Sequence, residues 1–384
     1  MNFDLTDEQR MLQAAAKEML AARFKPERIR ELGESETGFD EAVWREVSDL
    51  NWPGLIVSEE HGGQELGTVE LVVLMEQLGY ALAPGPFLSN TFAALALEHM
   101  ATDEQRERYL TPLAAGDLRG TLALWDTDSG SDPTKVTLEP EKSGDGWTLN
   151  GQKLFVLDAG TADFLIVGAA GGRRFIVECD TEGVSITQTP TIDSTRKQYA
   201  VKLDGVQVGG DAMFTADEDA LDLARARGHT ALAAELAGVA QKAMEMAVEY
   251  AKDRKQFGRA IGSYQAVSHA CAQMLLETEG ARSATFYAGW AADNEPETAS
   301  LAGSVAKAYA SDAAWRVTAS SLQVHGGIGF TWEHDLHLWL KRARCGAAYF
   351  GDARWHRERV AELVIDGGTS SGARESRAAA VAAS

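Results

Sequence analysis

Short β-type runs crowd into residues 119–216, and helical patterns flank them on both sides. The runs fall at 122–125, 147–149, 153–157, 164–168, 174–179, 184–188 and 200–208, separated by turn residues such as Ser143-Gly144-Asp145-Gly146 and Asn150-Gly151. Strands gathered in this way, rather than alternating with helices, argue for an antiparallel β unit and against a doubly wound parallel sheet. No G-x-G-x-x-G or G-x-x-x-x-G-K-[ST] follows a strand, so neither nucleotide fingerprint is present. The chain therefore reads as α+β: an N-terminal helical domain over 1–118, a middle antiparallel β domain over 119–216 and a C-terminal helical bundle over 217–365. The segment 366–384, with Gly367-Gly368-Thr369-Ser370-Ser371 and a run of alanines, is expected to be a disordered tail.

In the first of these domains, Thr6 to Gln9 has the spacing of a capping box. Met11, Leu12, Ala15, Met19 and Leu20 then recur at helical spacing. Further helices are predicted over 39–50, 69–80 and from Thr102 toward Leu110, with Asn51-Trp52-Pro53-Gly54 and Ala83-Pro84-Gly85-Pro86 as breaks. In the last domain, Ala231, Ala234, Ala237, Gln241, Met244 and Val248 keep one helical stripe, and 277–292 and 300–323 supply two more helices. Small residues on these faces allow close antiparallel packing.

A net charge of −21 over 384 residues opposes binding to nucleic acid or to an anionic membrane surface. Cys179, Cys271 and Cys345 are too few and too widely spaced for a disulfide framework or a zinc site, and the eight histidines do not cluster at ligand spacing, so no metal is expected. The charged start MNFDLTDEQRMLQ lacks an apolar signal region, which points to the cytoplasm.

Two stretches carry the chemistry. In 249–265, EYAKDRKQFGRAIGSYQ, a helical pattern ends in Arg254, turns at Phe257-Gly258 and restarts at Tyr264-Gln265. Arginine grips a phosphate with parallel N–H bonds, and an aromatic covers an apolar ring edge. The bland reading is a helix end with a glycine cap. The second stretch is Leu322-Gln323-Val324-His325-Gly326-Gly327-Ile328-Gly329-Phe330. Together, as Arg-x-Gln-Phe-Gly and Gln-x-x-Gly-Gly, they make the chain resemble the acyl-CoA dehydrogenase flavoproteins over nearly its whole length. The resemblance implies that Arg254, Phe257, Gln265, Gln323, Gly326 and Gly327 hold the adenosine and pyrophosphate half of FAD, in trans, for a flavin seated in a neighbouring subunit. It also implies α,β-desaturation of an acyl-CoA thioester, with a shielded carboxylate as base and an electron-transfer flavoprotein as acceptor.

The chain departs from that pattern at the base. The family's usual glutamate, in a Tyr-Glu-Gly turn, falls on Phe350 of Tyr349-Phe350-Gly351-Asp352, and its second position falls on Gly228, beside His229. On the flavin-facing β domain, Leu124-Trp125-Asp126-Thr127 and Phe155-Val156-Leu157-Asp158 replace the family's Val-Thr-Glu-Pro and Trp-Ile-Thr-Asn, while Ser131 in Ser129-Gly130-Ser131-Asp132 keeps a cofactor-contacting position. The resemblance then suggests one subunit of a two-component dehydrogenase, similar to heterotetrameric enzymes for bulky sterol-side-chain CoA esters, lending its adenosine site to a homologous partner that supplies the base. Alternatives stay open: a self-sufficient homotetramer with a relocated base (Asp352 nearest, Asp158 or Glu235 further options), another flavin reaction on the same fold, or a non-enzymatic partner subunit.

Overall fold

The computed structural model describes residues 4–130, 132, 134–215 and 217–365. Ser131 and the tail 366–384 lie outside the described residues.

The chain opens with α1 (Asp7–Arg23), α2 (Pro26–Glu34), α3 (Glu41–Asp49), α4 (Thr68–Tyr80) and α5 (Phe87–Met100). A short α6 (Asp103–Gln105), a π turn over Arg106–Leu110 and α7 (Thr111–Ala114) follow. Thr6 caps α1 through the reciprocal bonds of a capping box with Gln9. Sequence periodicity did not disclose α5: it is apolar on nearly every side, because the β domain, α8 and the rest of the helical layer cover it.

The β domain is two stacked sheets. One has the order β1 (Gly120–Ala123), β5 (Phe164–Gly168), β6 (Arg174–Glu178), β9 (Met213–Phe214). The other runs β2 (Trp125–Asp126), β4 (Gly146–Leu157), β8 (Gln198–Val208), β7 (Val184–Thr189), with β3 (Glu141–Ser143) added to β4. Only β1 with β5 is parallel among the described pairings; the others are antiparallel. Leu165 and Val167 of β5 point into the core between the sheets, whereas Phe164 and Ile166 point into the helical core. Buried on both faces, β5 has no reason to alternate apolar with polar, and FLIVG does not.

The C-terminal bundle is α8 (Glu218–Asp253), α9 (Gln265–Asn294), α10 (Pro296–His325), α11 (Leu336–Ala348) and α12 (Ala353–Ile365). Between α8 and α9 stands a small hairpin, β10 (Lys255–Gln256) and β11 (Arg259–Ala260). Helix α8 crosses α4 with almost no spacing. Any side chain at Gly238 or Gly79 would collide with the Glu76 or Glu235 backbone, so the small-residue stripe read in the sequence is the contact face. No described helix is long and apolar enough to cross a membrane.

Candidate functional site

A cleft of about 620 Å³ opens where α5, β1 and β5 face the N-terminal half of α8 and the start of α12. Phe92, Leu95, Leu122, Ile166 and Leu221 make an apolar wall, and Arg173, Arg174, Arg225 and Arg359 with several carboxylates stand around it. Both positions expected to hold a base line this cleft: Phe350 and Gly228. Phe350 occupies the α11–α12 turn with φ +53°, and its ring meets Phe92 at 4.6 Å and Trp125 at 5.0 Å, each centroid to centroid. Phe350 thus packs between Phe92 and Trp125 where an acid would otherwise face the β domain. It takes no proton.

The other candidate acids are committed elsewhere. Asp352 is exposed, caps α12 by accepting the Trp355 N–H at 2.8 Å, and is not part of the cleft lining. Asp158 is buried after β4 and accepts the Ser89 hydroxyl at 2.7 Å. Burial pushes its carboxyl up to about 6, against the pull of the Ser89 hydroxyl and of Arg196 and Arg342. Glu235 is clamped by Arg196 and by Arg342, whose Nη1 donates to it at 2.8 Å. Burial alone would raise its carboxyl, but the two guanidiniums outweigh that and hold it below the usual carboxylate range. Arg342 also binds Asp193 at 2.7 Å and the Thr195 hydroxyl at 2.6 Å. Glu235 is therefore the centre of an interdomain ion network, not a free base.

Behind Phe350 lies a cluster around Lys307, a residue that sequence reading did not single out. Lys307 is fully buried and donates to Ser311 Oγ (3.0 Å), Ala347 O (3.2 Å) and Gly351 O (3.0 Å), using all three of its protons. Burial pushes its ammonium down to about 7, against the attraction of Asp352. His356 Nε2 donates to Phe350 O at 3.1 Å, and burial with nearby Lys307 pushes its imidazole down to about 3. Together they fix the carbonyls of the turn that presents Phe350.

At the far end of the bundle the two motif stretches meet. Tyr250, one turn before Arg254, stacks on His325 at 4.6 Å, and His325 sits between Gln323 and Gly326. Arg254 is the exposed C-cap of α8, and its guanidinium bonds to no side chain or carbonyl among the described residues. The hairpin turn that follows holds Phe257 at φ +50° and 92% exposed, beside Gly258 at φ +81°. Gln265 begins α9 and is exposed, as is Gln323 near the end of α10. Gly326 has φ +61° and ψ −137°, a conformation open essentially to glycine, and open space surrounds Gly326 and Gly327. None of these six residues lines the cleft.

Three acyl-CoA dehydrogenase family profiles match the chain: the N-terminal domain over 6–117, the middle domain over 121–206 and the C-terminal domain over 219–365. Acyl-CoA dehydrogenase IpdE2 of Mycolicibacterium smegmatis is 31% identical, over 91% of this chain and 96% of its own. Among solved structures, a variant of the Tcur3481-Tcur3483 steroid ACAD matches with a TM-score of 0.86 at 32% identity, covering 95% of this chain and 99% of that one. The ChsE4-ChsE5 complex from Mycobacterium tuberculosis gives 0.87 at 28% identity, over 97% and 100%. The chain belongs to the acyl-CoA dehydrogenase family, flavoprotein oxidoreductases that act on CH–CH bonds with FAD.

The residues present divide in how well they suit that cofactor. The exposed guanidinium, the bare Phe257 ring and the uncrowded glycines fit an adenosine diphosphate half. The two β-domain positions that the resemblance sets against the ring system suit it less well, and neither lines the cleft. Leu157 is buried and has no hydroxyl, and Trp125 is engaged with Phe350.

Proposed function

We propose that this chain is one subunit of a two-component acyl-CoA dehydrogenase, lending the adenosine and pyrophosphate site to a flavin whose ring and catalytic base belong to a homologous partner. The observation that carries the reading is the split geometry. Phe350, packed between Phe92 and Trp125, leaves the chain's own cleft without a base at the expected position, while Arg254, Phe257, Gln323, Gly326 and Gly327 face outward at the other end of the bundle. Relatives described as a ChsE4-ChsE5 complex and as a Tcur3481-Tcur3483 steroid enzyme support a paired assembly and a bulky polycyclic acyl-CoA class.

FAD, when bound, supplies the hydride acceptor for desaturation between the α and β carbons. This chain's own contribution is to hold and orient. Arg254 would neutralise pyrophosphate charge with charge-assisted N–H bonds, worth more than neutral ones. Phe257, presented by a left-handed turn with its ring exposed, would cover the adenine. Gly326 and Gly327 would let the backbone approach the diphosphate. The acceptor expected from the resemblance is an electron-transfer flavoprotein.

The test is Arg254→Ala in the complex co-purified with any acyl-CoA dehydrogenase-like chain encoded beside this one. The affinity of the complex for FAD, read from flavin absorbance over a titration, should fall roughly tenfold or more, the worth of a lost charge-assisted hydrogen bond, although the substitution lies in the subunit that supplies no base. Undiminished flavin and turnover would overturn the assignment.

A further inference from the structure

His229 stands apart from the other polar groups of the cleft. It follows Gly228 on α8 and lines the cleft opposite Leu95, Met100, Leu122 and Ile166. Its ring is held edge-on by His356 at 4.6 Å and by Trp355 at 6.3 Å. Its nitrogens bond to no group among the described residues, yet they are not among the atoms sealed from solvent without a partner. Of its neighbours, His356 Nε2 is taken by the Phe350 carbonyl and Lys307 by Ser311, Ala347 and Gly351, while His356 Nδ1 is buried without a hydrogen-bond partner. The wall beside it is built from small residues, Ala96, Ala224, Gly228 and Ser304, which leaves width for more than a straight alkyl chain.

We propose that His229 is the specificity-determining group of this chain's own cleft, reading one carbonyl or hydroxyl oxygen on an otherwise apolar, bulky ligand. Burial, His356 and Lys307 all hold the imidazole well below its ordinary range, so it meets the ligand neutral and favours an uncharged oxygen over a carboxylate. A site built to bond an oxygen rejects the analogue that lacks it, because the imidazole N–H would then be covered and left unpaired. The inference goes beyond the two-component reading and does not require it, since binding in this cleft involves neither a base nor the outward-facing motifs.

The test is calorimetric titration of the full chain, and of its complex, with 2-decalone and with decalin as its oxygen-free counterpart. The ketone should bind about tenfold more tightly, the worth of one hydrogen bond. His229→Phe should abolish that preference, weakening the ketone and removing the penalty on decalin, and His229→Gln, which keeps an N–H donor, should restore most of it. Equal affinities in the wild type, no binding of either probe, or loss of both probes in His229→Phe would each overturn the proposal. Flavin content in the same samples separates this failure from that of the two-component reading.

Discussion

Asp158→Asn should stabilise the protein at neutral pH and do nothing in acid. The carboxyl is buried, and its folded value of about 6 stands above the unfolded value of 3.8. Between those values the folded state holds a proton that the unfolded chain releases, so stability falls as pH rises through the window and the full cost is felt above about pH 6. A shift of roughly two units corresponds to about 3 kcal/mol at pH 7. Asparagine removes the charge and keeps an oxygen to accept the Ser89 hydroxyl at 2.7 Å. It also suits the backbone, because residue 158 has φ +51°, a conformation asparagine adopts more readily than most residues. Denaturation midpoints of wild type and variant should coincide near pH 4 and diverge by about pH 7.5, the variant melting several degrees higher. A variant no more stable at neutral pH than in acid, relative to wild type, would refute the reasoning. It would mean that Arg196 and Arg342 already compensate the buried charge.

Lys307 supplies a titration of opposite direction. Its folded value of about 7 lies below the ordinary 10.5, so wild-type stability should rise with pH between roughly 7 and 10 as the unfolded chain retains the extra proton. Lys307→Met should flatten that slope in pH-dependent melts; an unchanged slope would show the ammonium to be compensated by Asp352. Glu235→Gln leaves Arg196 and Arg342 buried beside a neutral amide, which should cost about 3–5 kcal/mol and lower soluble yield. A near-neutral effect on chemical denaturation would show the network to be dispensable. Gly326→Ala puts a side chain at φ +61°, ψ −137° in open space, so it should cost about 1–3 kcal/mol through backbone strain alone. Flavin binding by the complex should weaken with it, and an unaltered melting midpoint would count against the strain.

Features that announce themselves locally were legible in the chain. Thr6 and Gln9 are three apart, and the capping box forms as spacing requires. Turn residues mark the β domain, and the stretches around Arg254 and Gln323 carry the family resemblance that the profiles bear out. What stayed hidden depends on burial from all sides or on contacts distant in sequence. Phe92 lies on a helix whose period is erased because every face is covered, so its pairing with the distant Phe350 left no mark. Lys307 reads as an ordinary charged residue on an alanine-rich helix; only the fold shows it capping the carbonyls of Ala347 and Gly351. Glu235 looked like a spare acid until the structure set Arg196 and Arg342 against it. His61 lies in the polar, glycine-bearing run Glu59-Glu60-His61-Gly62-Gly63, yet it is buried with Nδ1 3.2 Å from the Thr111 hydroxyl, a contact no local pattern encodes.

The division of labour between two chains is tested most directly by the flavin absorbance per protomer of this chain purified alone, set beside that of the chain purified with any dehydrogenase-like chain encoded beside it. The account predicts a colourless, inactive lone chain that acquires flavin and dye-linked acyl-CoA oxidation only in the complex. About one flavin per protomer with turnover in the lone chain would contradict it.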